Sequence, residues 1–137
     1  MKALLLHCKD YRIAIGQLAN RPKDIKPEVV KEPVQTQQNC ILALITVEDG
    51  DTISSTKNLA DDITRMAKDM GRTSIVLLPF AHLSNKLADS DTSIAILESA
   101  RQKLAEQFNV KRGHFGSHKE FMFDVFGHPG NARFREY

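Results

Sequence analysis

The chain has 137 residues, 42% of them hydrophobic and 26% charged, with a formal net charge of +2. That length suits one domain that buries most of its apolar surface without staples, and the near balance of charge creates no global field demanding a nucleic acid or a membrane. The longest apolar runs, Ala3–Leu6 and Ile41–Ile45, are far too short to span a bilayer. Four apolar residues followed by His7, Cys8, Lys9 and Asp10 make no signal-peptide core. Cys8 and Cys40 sit inside apolar strand candidates without C-x-x-C spacing, which reads as reduced, buried thiols of a cytoplasmic protein.

Ala3–Cys8 reads as a buried strand, and the alternation of Tyr11, Ile13 and Ile15 with Arg12 and Ala14 predicts a second. From Gly16 to Gln38, Pro22, Pro27 and Pro33 lie among charged residues, the mark of a long surface connection. Cys40–Val47 is a continuous apolar run expected to be buried on both faces. Leu59, Ile63, Met66 and Met70 form one face of a helix, closed by Gly71. Ser74–Leu78 is a short buried strand that Pro79 must end, and Ser84 is placed to cap a helix from Asn85. Asp89-Ser90-Asp91 caps a further helix with the stripe Ile94, Leu97, Ala100, Leu104 and Phe108. Asn109–Arg112 and His118–Phe126 close the chain as strands. The expected fold is α/β: a compact domain with a mixed, largely antiparallel sheet and two main helices.

Two residues stand out chemically. His82 falls in the turn after the Ser74–Leu78 strand, where ligands of open α/β sheets collect, and an imidazole there is a candidate for chemistry. Lys119 shares strand parity with Phe121, Phe123 and Val125, so it projects to the core side. A lysine aimed inward is costly unless it lines a cavity or meets a partner. Beside it, Gly113 and Gly116 permit close backbone approach to a ligand. From Asn109 to Tyr137 five Lys or Arg face three Asp or Glu, with three histidines, a mild excess that suits the end of an RNA. No P-loop, G-x-G-x-x-G or G-x-S-x-G occurs. His114 and His118 have i, i+4 spacing, but the intervening glycine argues against a helix and hence against zinc.

The stretches Leu78-Pro-Phe-Ala-His-Leu-Ser84, Phe115-Gly-Ser-His-Lys119 and Gly127-His-Pro129, with Leu4-Leu-Leu-His7 and Ile45-Thr-Val-Glu48, resemble in sequence and order the N-terminal editing domain of archaeal threonyl-tRNA synthetase. The resemblance implies a D-aminoacyl-tRNA deacylase-like fold and one aminoacyl-tRNA editing domain over residues 1–137, whether free-standing or the N-terminal part of a longer synthetase. It implies hydrolysis of mischarged Ser-tRNA(Thr) at the 3′-terminal adenosine. Lys119 matches the family's catalytic lysine and His82 its site histidine. Pro79, Phe80 and Ala81 would line the amino-acid pocket through their backbone, Val47 and Glu48 would take the adenine, and Phe115, Gly116 and His118 would complete the substrate site. No metal and no cofactor is expected in this domain, since ATP and zinc would belong to a downstream synthetase domain. The fold resemblance favours a homodimer.

Two departures bear on the chemistry. The family pattern has tyrosine before the lysine, where this chain has Ser117-His118, and a glutamate shortly after Gly-His-Pro, where this chain has Gly130-Asn-Ala-Arg133. A D-aminoacyl-tRNA deacylase and a non-catalytic tRNA-binding appendage are the alternative readings. The chirality of the preferred substrate separates the first, and RNA binding without turnover separates the second.

Overall fold

The computed structural model describes residues 1–137. Six strands form one sheet: β1 (Lys2–Leu18), β2 (Val34–Thr46), β3 (Ser74–Pro79), β4 (Asn109–Arg112), β5 (Ser117–Val125) and β6 (Ala132–Glu136). Their order is β4-β3-β2-β1-β5, with β6 also on β1. β1 pairs antiparallel with β2, β5 and β6, whereas β2, β3 and β4 run parallel. Helices α1 (Thr56–Asp69) and α2 (Ser90–Ala105) supply the two parallel crossovers. The α/β expectation of a mixed, largely antiparallel sheet with two main helices therefore holds.

The predicted first two strands are a single strand with a bend. Up to Cys8 the even-numbered residues Leu6 and Cys8 face one core, and beyond the bend Tyr11 and Ile13 face the same core. An extra residue at Lys9 in the pairing with β5 makes this switch. Opposite it on β2, Asn39 takes a left-handed φ of 49°, a conformation asparagine tolerates better than most residues. The parity of β2 changes there too, from buried Gln35 to buried Cys40, Leu42 and Leu44. Both strands thus bend together without exposing their apolar face.

Residues 40–47 are all buried, as their unbroken apolar run predicts. One side of the sheet carries Ala3, Leu5, Ile41, Ala43, Ile45, Ile75 and Leu77 against both helices. The α1 stripe Leu59, Ile63 and Met66 is fully buried there, each side chain contributing about 1.5–3 kcal/mol. Met70 is the C-cap; Gly71 beyond it, at φ 63°, donates to Lys68 O while Arg72 donates to Ala67 O, closing the helix with a Schellman motif. In α2, Asp89 caps the amide of Thr92 at 2.9 Å as expected, but the buried stripe is Ser93, Ile96, Leu97, Ala100 and Leu104. Ile94 and Phe108, expected on it, are only partly buried.

Two further expectations are corrected. No helix starts at Asn85: Ser84 Oγ accepts the Lys86 amide at 3.2 Å as a cap would, but Lys86 O and the Ala88 amide are then taken by Asp49 and Val47, which hold the segment extended along the end of β2. The chain also does not end its sheet with β5. Ala132–Glu136 adds β6, which alternation of Arg133 and Arg135 with Phe134 disguises as a basic tail; charged residues of this kind protect an edge strand. No helix is long and apolar enough to cross a membrane.

Candidate functional site

The parallel pairing of β2 with β3 brings their carboxyl ends side by side, with Ile45 opposite Pro79. Pro79 has no N–H, so the ladder cannot continue past it. The chain instead turns: Phe80 N–H donates to Ile45 O at 2.8 Å, and a 3-10 turn follows at Ala81–Leu83. The chain then comes back along the end of β2, with Leu87 bridged to Glu48 and Ala88 N–H donating to Val47 O at 3.1 Å. This return forms one wall of a cavity of about 760 Å³.

The loop between β4 and β5 forms the facing wall. A Cβ on Gly113 would lie 2.4 Å from Leu78 Cδ1, and a Cβ on Gly116, whose φ is 78°, would lie 2.7 Å from Pro27 Cα. The Pro27 backbone leaves no room for a side chain at Gly116, whereas one at Gly113 would need the Leu78 side chain to move. The segment 19–28 crosses the cavity as a strap. Ala19 N–H donates to Gly116 O at 2.9 Å, Glu28 N–H to Phe115 O at 3.2 Å, and Lys26 N–H to Ser90 Oγ at 3.0 Å. The proline-rich connection of the sequence is thus a roof strut joining the β4–β5 loop to the start of α2.

All the candidate residues except Glu48 line this one cavity: Lys119, His82, Pro79, Phe80, Ala81, Val47, Phe115, Gly116 and His118. Glu48 lies behind the return segment, its carboxylate 3.0 Å from the Met1 ammonium and accepting the Ser84 hydroxyl. Those contacts, led by the Ser84 bond, hold its pKa below the ordinary glutamate range despite partial burial. The strap residues Arg21, Pro22 and Ile25, together with Thr46, line the cavity without having been singled out in the sequence.

Lys119 lies on the inward face of β5, as its parity predicts, and its ammonium donates to Ser117 O at 3.1 Å. Burial pulls its pKa down to about 8, with the negative charge of Glu28 pulling the other way. His82 is exposed at the mouth and meets Phe80 edge-on at 5.0 Å. Phe121 is 55% exposed, against the expectation that it is core, and stacks on Phe123 at 5.1 Å. His114 Nε2 donates to Glu28 O at 2.7 Å, since a carbonyl only accepts, and Nδ1 shares a hydrogen bond of 2.8 Å with Ser117 Oγ. His7 and Cys8 lie elsewhere, both buried, and the Cys40 hydrogen bond with burial pushes the Cys8 thiol up, as suits the buried thiol read from the sequence. No group of three or more His, Cys, Asp or Glu could hold a metal ion.

The site is therefore a backbone-built cavity with one inward lysine, set in an α/β sheet. A profile described as the archaea-specific editing domain of threonyl-tRNA synthetase matches residues 1–136. The threonine–tRNA ligase editing subunit of Saccharolobus solfataricus is 33% identical over 129 residues, covering 94% of this chain and 32% of that protein. The threonine–tRNA ligase of Hyperthermus butylicus is 34% identical over 147 residues, covering 100% of this chain and 23% of that protein. The solved c-Myc DNA unwinding element binding protein superposes with a TM-score of 0.72 at 13% identity, covering 100% of this chain and 99% of that one, which speaks to the fold alone. The chain belongs to the archaea-specific family of threonyl-tRNA synthetase editing domains. It spans only about a third or less of the length of these two curated relatives.

Proposed function

We propose that residues 1–137 act as one editing unit that hydrolyses Ser-tRNA(Thr) at the 3′-terminal adenosine. The observation that carries this reading is the inward Lys119 facing a wall built from the backbone of Pro79–Ala81 in one cavity. Serine is threonine less one methyl, and a pocket gains only about 1–3 kcal/mol from a methyl, roughly 10–200-fold discrimination. Correction after synthesis is therefore needed. The ester is already reactive, so positioning and charge stabilisation suffice.

In this mechanism water attacks the seryl carbonyl carbon, the bond to the ribose oxygen breaks, and that oxygen takes a proton. The products are serine and tRNA(Thr). With its pKa near 8, Lys119 is mainly an ammonium at neutral pH and stabilises the developing oxyanion. The substrate's own 2′-hydroxyl orients the water. The cavity wall at Val47 receives the adenine, without Glu48, whose main-chain groups are both bonded to Asp51, and Phe115, Gly116 and His118 close the far side.

The protein works in the cytoplasm beside, or fused to, the synthetase catalytic region, a reading supported by full-length ligases among its relatives. It does so as a homodimer, for which the support is half-exposed Phe121 and Phe134 on the sheet face away from the helices. Sedimentation of the wild type measures that state.

The deciding experiment is deacylation of Ser-tRNA(Thr) beside Thr-tRNA(Thr) and a D-aminoacyl-tRNA. Selective loss of the seryl ester supports editing. Preference for the D-ester would make the protein a D-aminoacyl-tRNA deacylase, and RNA binding without turnover would leave a tRNA-binding appendage.

A further inference from the structure

Thr46 is the last residue of β2 and is 2% exposed, one of few polar side chains in the core. Its hydroxyl makes two hydrogen bonds to one turn. It donates to the Phe80 carbonyl and accepts the Leu83 amide at 3.3 Å. These partners bracket Ala81 and His82. They are also the backbone groups left over where Pro79 ends the β2–β3 ladder. The hydroxyl thus does for this turn what a strand backbone does for β3, and it anchors the segment whose main chain forms the cavity wall.

No other side-chain group makes a hydrogen bond to residues 80–83. Ser84, the next residue, is tied separately to Glu48. Loss of the Thr46 hydroxyl would leave the Phe80 carbonyl and the Leu83 amide without these bonds, and a displaced turn misplaces everything carried on it. Catalysis by orientation is sensitive to such shifts, since about 1 Å of misplacement can cost roughly 100-fold.

We infer that Thr46 is a positioning residue for the cavity: its hydroxyl fixes the Phe80–Leu83 turn so that the backbone of Pro79–Ala81 and the His82 ring meet the substrate in register. This rests on the editing reading above and assigns a part of the site that acts through the turn, without itself touching the reacting ester.

The test compares Thr46→Val, which keeps shape and removes the hydroxyl, with Thr46→Ser, which keeps the hydroxyl. Two readouts are taken: single-turnover deacylation of Ser-tRNA(Thr) at saturating enzyme, and hydrogen exchange at the Leu83 amide against Leu42 and Leu44 in β2. Thr46→Val is expected to slow deacylation at least tenfold and to speed exchange at Leu83 at least tenfold, with Leu42 and Leu44 unchanged. Thr46→Ser is expected to stay within about threefold of wild type in both. A Thr46→Val protein with wild-type turnover overturns the inference, and so does a Thr46→Ser protein as slow as Thr46→Val. If the wild type cleaves no seryl ester, the editing reading itself has failed; the exchange at Leu83 then still decides whether the hydroxyl holds the turn.

Discussion

Glu28 and Arg112 meet in a two-pronged ion pair, with the guanidinium nitrogens 2.9 and 2.6 Å from the two carboxylate oxygens. The same carboxylate accepts the Phe115 amide at 3.0 Å, so the strap is fixed to the loop that leads into Lys119. Although burial pushes the Glu28 carboxyl up, Arg112 and Phe115 hold it below the ordinary range.

Replacing Glu28 by Gln should therefore act twice. A mostly buried Arg112 loses the nearer of its two carboxylate partners, keeping only Glu98 at 3.7 Å, and stability should fall by about 1–3 kcal/mol in urea denaturation. Glu28 also supports the Lys119 ammonium, so its loss should move the Lys119 pKa below about 8. NMR titration of the lysine side chain measures that shift.

Lys119 itself links pH to both stability and turnover. Its folded pKa of about 8 lies below the ordinary lysine value of 10.5, so the unfolded chain holds more protons between the two. Burying the ammonium is a cost that is fully present below about pH 8 and is relieved as pH rises towards 10.5. Lys119→Met should consequently be more stable than wild type at pH 7, and less so at pH 10, in thermal melts. Turnover corrected for spontaneous ester hydrolysis should fall in the wild type above about pH 8, as the ammonium is lost.

A second titrating cluster lies away from the cavity. Arg72 Nε donates to His7 Nε2 at 2.8 Å, so His7 Nδ1 carries the proton that reaches His128 Nε2, also at 2.8 Å. Burial, then Arg72, then His128 lower the His7 pKa. Its stabilising effect is complete above the ordinary histidine value of 6.5 and is lost as pH falls from there through the lowered folded value. Stability in urea should fall below pH 6.5, and His7→Phe should remove part of that acid dependence.

The left-handed glycines give a paired stability test. Gly71, at φ 63°, has nothing within 4 Å of an added Cβ, so Gly71→Ala should cost only the backbone penalty of about 1–2 kcal/mol. Gly116→Ala adds a 2.7 Å approach to the Pro27 backbone and should cost more. It should also slow deacylation by displacing the strap, whereas Gly71→Ala should leave turnover within about twofold. Melts and turnover on both proteins check this.

Much of this architecture was legible because local signals and tertiary packing agree. The unbroken run from Cys40 specified a fully buried strand, and the spacing of Leu59, Ile63 and Met66 specified the inner face of α1. Parity alone placed Lys119 on the inward face of β5. The bend at Lys9 and Asn39 was hidden because a parity break along one strand looks the same as a gap between two; only the pairing partner distinguishes them. Ser84 looked like a helix cap and does accept the Lys86 amide, but the residues after it are held by Val47 and Asp49, far away in sequence. The strap read as a surface connection because its role comes from bonds to Gly116, Phe115 and Ser90, none of them local. Thr46 sat in an apolar run, and its partners in the turn are likewise set by the fold.

In the proposed editing reaction Lys119 works on the seryl ester inside the cavity. Single-turnover hydrolysis of Ser-tRNA(Thr) by wild type, Lys119→Ala and Lys119→Met, at pH 7 with folding checked by circular dichroism, tests it most directly. The expected result is a fall of at least 100-fold in both folded variants, with Ser-tRNA(Thr) still bound. Hydrolysis at the wild-type rate in either folded variant would contradict the account.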